Sequence, residues 1–358
     1  MRVLLISDAD SIHTQRWVPA LEGEGCEVHL ASFEETAEPG HRFHVLRTFG
    51  LGKIGYFFAV PQLRRIATQV RPDIVHAHNV TSYGFLAAQA GLSPLVVTAW
   101  GSDVLLAPRK SWILRTFVRI ALQRADRITV VAQHMKPAVE ELGICGGKVM
   151  VLPFGVDLEL FPWREPEASH PSRPLRLLCN RGFKPVYDIP TFLRALARLS
   201  DRGMDFRASI VGEGPCNAEL QAQTKELGLE RMVEFPGRKA AAQMAAALAE
   251  ADIFVSPSLS DGNNISLNEA MAVGTIPVVS SIPANHAWLV DGDTGFFFAP
   301  GDHEALAAAI QRALDDQARW REIAVRNREV VEDRANWKKG VGLTVRMYRE
   351  LARQPQGR

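Results

Sequence analysis

The chain has 358 residues, which at roughly 150 per domain predicts two domains, each long enough to bury its own core. Lys+Arg 41 against Asp+Glu 40 leaves a formal charge of +1, and 47% hydrophobic with 23% charged residues is ordinary globular usage. These values exclude a disordered or collagen-like chain and a nucleic-acid partner held by bulk charge.

The opening MRVLLISD reads as a buried strand, too short for the apolar core of a signal peptide. Further strands are expected at 26–31, 73–77, 94–98, 127–131 and 148–152. Between them lie helix-like segments: Val18 and Leu21 precede Gly23 and Gly25, and the stretch 85–90 precedes Gly91, both patterns of a helix with a glycine stop. The most apolar stretch, 112–128, carries Arg115, Arg119, Arg124 and Arg127, so no membrane span is predicted. Within 110–127, Ile113, Phe117, Ile120 and Ala121 share one helical face and Arg115, Arg119 and Gln123 the other. Two readings stand for this basic amphipathic helix: a surface helix packed on its own sheet, or a peripheral contact with a membrane surface.

At 161–174 the text becomes FPWREPEASHPSRP, a proline-rich connector. The expected division is an N-terminal domain over 1–165, a linker over 166–174, a C-terminal domain over 175–333, and a final helix over 334–358 that packs back on the first domain. Strands resume at 175–179, 206–211, 232–235, 252–256 and 276–279, with helices at 191–199 and 240–249 between them. Strands alternating with helices predict an α/β protein of two Rossmann-like open parallel sheets. Ligands bind such sheets at the carboxyl ends of the strands, so a central cleft between the two is expected. Cys26, Cys145, Cys179 and Cys216 lie far apart with no Cys-x-x-Cys pair. Neither a zinc site nor a redox couple is indicated, and reduced, cytoplasmic thiols are the default.

The stretch SPSLSDGNNISLNEAMAVGTIPVV, 256–279, reads as strand end, polar loop, helix, glycine stop and strand. Asp261 and Glu269 stand 269 − 261 = 8 positions apart, the first in the loop and the second in the first helical turn. Backbone amides of about Gly262 to Ile265 are expected to face an anion at the helix start. Ser266 followed by Glu269 also matches a capping box, which needs no ligand. In LLCNRGFKPVYD, Arg181 and Lys184 directly follow a strand and could neutralise a diphosphate, although an isolated Arg-x-x-Lys more often reads as a solvated loop charge pair.

This half resembles the retaining family-4 glycosyltransferases of GT-B fold (glycosyl transferases group 1) through an ordered series: VGEGP (211–215), VEFPGR (233–238), ADIFVSPSLSDG (251–262), LNEAMAVGTIPVV (267–279) and DGDTGFFFAPGD (291–302). The N-terminal half matches through SIHTQRW (11–17), DIVHAHN (73–79), VVTAWGSDV (96–104) and KVMVLPFGVDLELF (148–161). The resemblance implies that Asp261 meets the donor sugar, Glu269 the ribose, and Arg181 and Lys184 the diphosphate, with Gly214, Arg238, Gly262, Asn263, Asn264, Ile265 and Ser266 lining the donor. It places His13, Thr14, Arg16, His78, Asn79, Trp100, Gly101 and Asp103 on the rim that receives the acceptor. Of His76 and His78, which share a strand, one completes an internal hydrogen bond and His78 is the functional candidate.

Three departures from the family pattern stand out: Asp261 replaces the usual Glu, Trp100 stands where His is common, and Tyr187-Asp188 replaces Lys-Gly, leaving Lys184 to supply the cation. The implied activity is transfer of a sugar from a nucleotide diphosphate sugar to a glycan or lipid-linked acceptor, with no cofactor, no metal and no covalent nucleophile. Polysaccharide or glycoconjugate biosynthesis in the cytoplasm, at the inner face of the cell membrane through 110–127, is the setting it suggests. The competing reading is a catalytically silent sugar-nucleotide or glycan-binding protein on the same fold.

Overall fold

A computed structural model describes residues 1–34, 42–48, 56–166 and 173–353. It divides into two compact units, Met1–Phe154 with Lys338–Arg358, and Gly155–Trp337. The division precedes the proline-rich stretch because 155–163 packs on the second unit. The Val156 amide donates to Ala335 O (2.6 Å), Phe161 is buried in the second unit's core, and Arg328 donates to Phe161 O (2.9 Å). Residues 167–172 of the expected linker lie outside the described residues.

Strands of the first unit are β1 (Arg2–Ile6), β2 (Glu27–Ser32), β3 (Phe43–Val45), β4 (Ile74–His78), β5 (Leu95–Ala99), β6 (Arg127–Val130) and β7 (Val149–Val151). They form a parallel sheet in the order β3-β2-β1-β4-β5-β6-β7. The central β4 and β5 are buried at every position, as strands covered on both faces must be. The last helix, Trp337–Arg353, belongs to this unit from Lys338 onward and buries Val341, Val345, Tyr348 and Leu351.

The second unit contains β8 (Leu175–Asn180), β9 (Phe206–Val211), β10 (Val233–Glu234), β11 (Ile253–Ser256), β12 (Ile276–Ser280) and β13 (Phe296–Phe298), parallel in the order β10-β9-β8-β11-β12-β13. Successive residues of β8 serve opposite faces. Leu177 packs with Phe192, Leu196 and Phe206, whereas Leu178 packs with Phe254, Leu267 and Met271. Each such buried side chain is worth about 1.5–3 kcal/mol. At the amino ends of the strands Arg173 clasps Asp252 with two bonds of 2.7 and 2.8 Å, and the Arg176 amide donates to the same carboxylate.

Strand order reverses between β1 and β4 in one sheet and between β8 and β11 in the other. Side chains just past the carboxyl ends of those strands sit where open sheets bind ligands. His78 ends β4, and Arg181 follows β8 by one residue. Two strands were not expected from the sequence, β3 and β13, each of three residues.

Candidate functional site

Arg181 is the centre of the second unit's site and only 8% exposed. Its Nη1 donates to Asn264 Oδ1 (2.8 Å), its Nη2 pairs with Asp261 Oδ2, and its guanidinium carbon lies 4.2 Å from the centre of the Tyr187 ring. Asn264 in turn donates through Nδ2 to Ser256 Oγ (2.9 Å) at the end of β11 and to Asn285 Oδ1 (3.0 Å). Asn285 donates to Ser280 O (2.8 Å) at the end of β12, and Ser280 Oγ donates to Ser258 O (2.6 Å). A buried polar chain thus links the ends of β11 and β12 to the guanidinium that follows β8.

The helix of this site runs Ile265–Val273, and Asn264 caps it by accepting from the Leu267 amide (3.1 Å). The expected capping box of Ser266 and Glu269 is therefore not formed. Ser266 lies inside the helix and Glu269 is its fifth residue, half-buried in the second turn and not the first. Of the amides expected to face an anion, that of Ile265 is already bonded to Asn263 O (3.0 Å), because the chain tightens as it enters the helix. Asn263 Oδ1 accepts from the Trp288 indole (3.0 Å), while its Nδ2 is buried without a partner among the described residues. Gly262 is buried beside it.

Two glycines bring a second turn against the Arg181 loop. A Cβ at Gly212 (φ 154) would lie 2.2 Å from Arg181 O, and one at Gly214 (φ 157) would lie 2.5 Å from Phe183 O. Their absence lets the Phe183 amide reach Glu213 O (2.9 Å). The Gly212 amide bonds Gly237 O (3.2 Å), which brings exposed Arg238 alongside. Lys184 is also exposed, three residues after Arg181, and neither cation carries an ion pair among the described residues.

In the first unit both histidines of β4 are buried, so neither stands on an open rim. His76 bonds the Tyr348 hydroxyl through Nδ1 and Thr98 Oγ1 (2.5 Å) through Nε2, and burial lowers its pKa to about 3. His78 Nδ1 bonds Ser7 Oγ (3.1 Å), which bonds Thr14 Oγ1 (2.6 Å), and His78 Nε2 has no partner among the described residues. Burial, then the neighbouring His76 and His13, hold the His78 pKa well below the usual imidazole range, so the ring is neutral. Asp103 is likewise buried and its carboxylate accepts from the amides of Val80 (2.8 Å), Trp100 (3.1 Å) and Gly101 (2.8 Å). Burial raises its pKa against the pull of those amides. The Thr14 hydroxyl and the Asp103 carboxylate are thus engaged in internal hydrogen bonds. His13 stacks on Phe154 with ring centres 4.4 Å apart and meets Trp100 edge-on at 5.4 Å, and Arg16 is half-buried on the same helix, Ile12–Gly23. Asn79 adopts φ 67 and receives bonds from Thr81 and Ser82.

The helix expected over 110–127 runs Trp112–Arg124, capped by Ser111. It buries Val118, Ala121 and Leu122, not Ile113, because packing takes its second half. Trp112 is 77% and Ile113 45% exposed, beside exposed Arg109, Lys110, Arg115 and Arg119. Among the described residues no helix is long and apolar enough to cross a membrane.

Sequence reading named Arg181, Asp261 and Asn264 but missed Tyr187 as a contact, and missed Asn285 and Trp288 altogether. The signal for Asn285 was a pair of adjacent strands ending on serine, Ser256 and Ser280, which need polar partners when buried; Trp288, whose indole serves Asn263, left none.

A glycosyl transferase 4-like family model matches residues 2–132 and a glycosyl transferases group 1 model matches 164–330. The chain belongs to the group 1 glycosyl transferases. Among relatives of these transferases, a putative colanic acid biosynthesis glycosyltransferase of Escherichia coli strain K12 is 31% identical over 219 residues, covering 59% of this chain and 53% of the relative. A phosphatidyl-myo-inositol mannosyltransferase of Mycolicibacterium smegmatis is 31% identical over 252 residues, covering 68% and 62%. The chain spans about half the length of the first curated relatives it matches. A solved structure, Anabaena HepE in complex with UDP and glucose, is 19% identical with a TM-score of 0.82, covering 98% of this chain and 100% of that one. The fold of the two Rossmann-like units is GT-B.

Proposed function

We propose that this group 1 transferase moves a sugar from a nucleotide diphosphate sugar to a hydroxyl of a glycan or lipid-linked acceptor, with retention at the anomeric carbon. The observation that carries the reading is Arg181, held at the start of the helix Ile265–Val273 by Asp261 and Asn264. A charge-delocalised fork fixed at a positive helix end is preorganised for the negative charge that grows on a departing diphosphate, at no cost of reorientation during the reaction. Exposed Lys184 and Arg238 supply further positive charge, so the leaving group is neutralised without a divalent metal or cofactor. Glu269 takes the ribose hydroxyls, and Asp261, whose Oδ2 pairs with Arg181, offers Oδ1 to the donor sugar. Gly262, Asn263, Ile265, Ser266 and the Gly214 turn form the remaining donor wall.

The leaving phosphate assists deprotonation of the acceptor as attack comes from the same face. His78, uncharged through burial, serves as a hydrogen-bonding group and not as an acid with a near-neutral pKa. His13, Arg16 and Trp100 contact the acceptor on the first unit. That the HepE structure holds UDP and glucose supports a nucleotide-sugar donor, and the colanic acid and phosphatidyl-inositol relatives support a polysaccharide or lipid-linked acceptor. Trp112 and Ile113 among four exposed cations fit a peripheral contact with an anionic membrane at its cytoplasmic face. Incubation with UDP-, GDP- and ADP-sugars in excess EDTA, with the anomeric configuration of the product read by NMR, tests the reading. Transfer with retention is expected; strict metal dependence or inversion overturns it. Trp112→Ser should weaken sedimentation with phosphatidylglycerol vesicles, and unchanged sedimentation removes the membrane contact.

A further inference from the structure

We propose that Tyr187 is a positioning residue for the diphosphate, acting through Arg181 by stacking on its guanidinium, a role that deepens the donor-site reading and rests on it. Arg181 has five N–H donors in one plane. Asn264 and Asp261 take one each from Nη1 and Nη2, and these in-plane bonds leave the tilt of the fork about its own long axis unconstrained. The Tyr187 ring 4.2 Å from the guanidinium carbon supplies the missing constraint, closing one face and fixing that tilt.

The ring is itself firmly placed. Tyr187 closes the 3-10 turn Pro185–Tyr187, with its amide bonded to Lys184 O (3.0 Å). The Leu259 amide donates to Val186 O (2.8 Å), tying this turn to the loop that carries Asp261. Gly182 faces the ring: a Cβ there would lie 3.4 Å from Tyr187 Cε2, in ordinary van der Waals contact with it. The tyrosine occupies a position at which a second lysine would add charge. In this chain charge is exchanged for orientation, and the remaining N–H groups of Arg181 are aimed by an aromatic wall.

The test compares binding of UDP, GDP and ADP with that of the matching nucleosides by calorimetry. For whichever diphosphate binds the wild-type chain, Tyr187→Leu should weaken it about tenfold, the loss of a partly desolvated cation–π contact. The nucleoside, which lacks the group Arg181 would hold, should bind Tyr187→Leu within about twofold of wild type. Tyr187→Phe, which keeps the ring, should restore diphosphate affinity. Equal weakening of diphosphate and nucleoside by Tyr187→Leu would mean a merely structural role and overturns the proposal, as does wild-type diphosphate affinity in that variant. A Tyr187→Phe protein as weak as Tyr187→Leu overturns it too, since the hydroxyl and not the stack would then matter. Failure of the wild-type chain to bind any of the diphosphates would instead sink the donor-site reading itself, and this inference with it.

Discussion

Asn264→Ala is the most informative perturbation, because one fully buried side chain serves both the helix and the guanidinium. Removing it deletes the cap on the Leu267 amide, worth about 1 kcal/mol. It also leaves Arg181 Nη1 and Asn285 Oδ1 buried without these partners, each costing about 1–3 kcal/mol. The sum is roughly 3–7 kcal/mol, and at about 2–4 °C per kcal/mol for a unit of this size melting should fall by about 10–20 °C. Asn264→Asp keeps the Oδ1 acceptor for Arg181 and for the Leu267 amide, loses both Nδ2 donations, and sets a carboxylate against Asn285 Oδ1. It should therefore lose stability but keep more nucleoside diphosphate affinity than Asn264→Ala. Differential scanning calorimetry with titration of the diphosphate reads both quantities. An Asn264→Ala protein melting within about 2 °C of wild type with unchanged affinity would refute the view that this chain of bonds holds Arg181 in place.

Arg181→Ala should lower turnover by at least about a hundredfold and also destabilise modestly, since Asp261 and Asn264 lose a buried partner; steady-state kinetics on the identified donor checks it. Glu269→Gln should weaken nucleoside diphosphate binding about five- to thirtyfold by replacing a charged acceptor, as read by calorimetry on the folded variant. Unchanged affinity in that folded variant would take Glu269 off the ribose. With His76 held to a pKa of about 3 by burial, the unfolded chain binds its proton first as pH falls. Stability should be level above about pH 6.5 and decline from there toward 3; His76→Gln should flatten that slope in melts recorded against pH, and an unaltered slope would assign it to other groups.

Much of the architecture was legible in the chain itself. Buried parallel strands declare themselves as unbroken apolar runs, and β1, β4, β5, β8, β9, β11 and β12 were each located within a residue or two on that signal. Polar residues directly after those runs, His78 and Arg181 among them, could then be assigned to the carboxyl ends of the sheets. Strands β3 and β13 escaped because FHV and FFF are short and show neither a sustained alternation nor a long apolar run. What the sequence by itself determined was thus the class of fold and which residues stand at strand ends, since both follow from local patterning. Only the tertiary structure decided what those residues do there. Arg181 meets Asp261 and Asn264 across 80 and 83 positions, and His76 meets Tyr348 across 272, so no local pattern records either choice. The same holds for Ser266 and Glu269, whose spacing suits a cap. Asn264 takes that role because its side chain, and not theirs, is fixed between β11 and Asn285 where the helix begins.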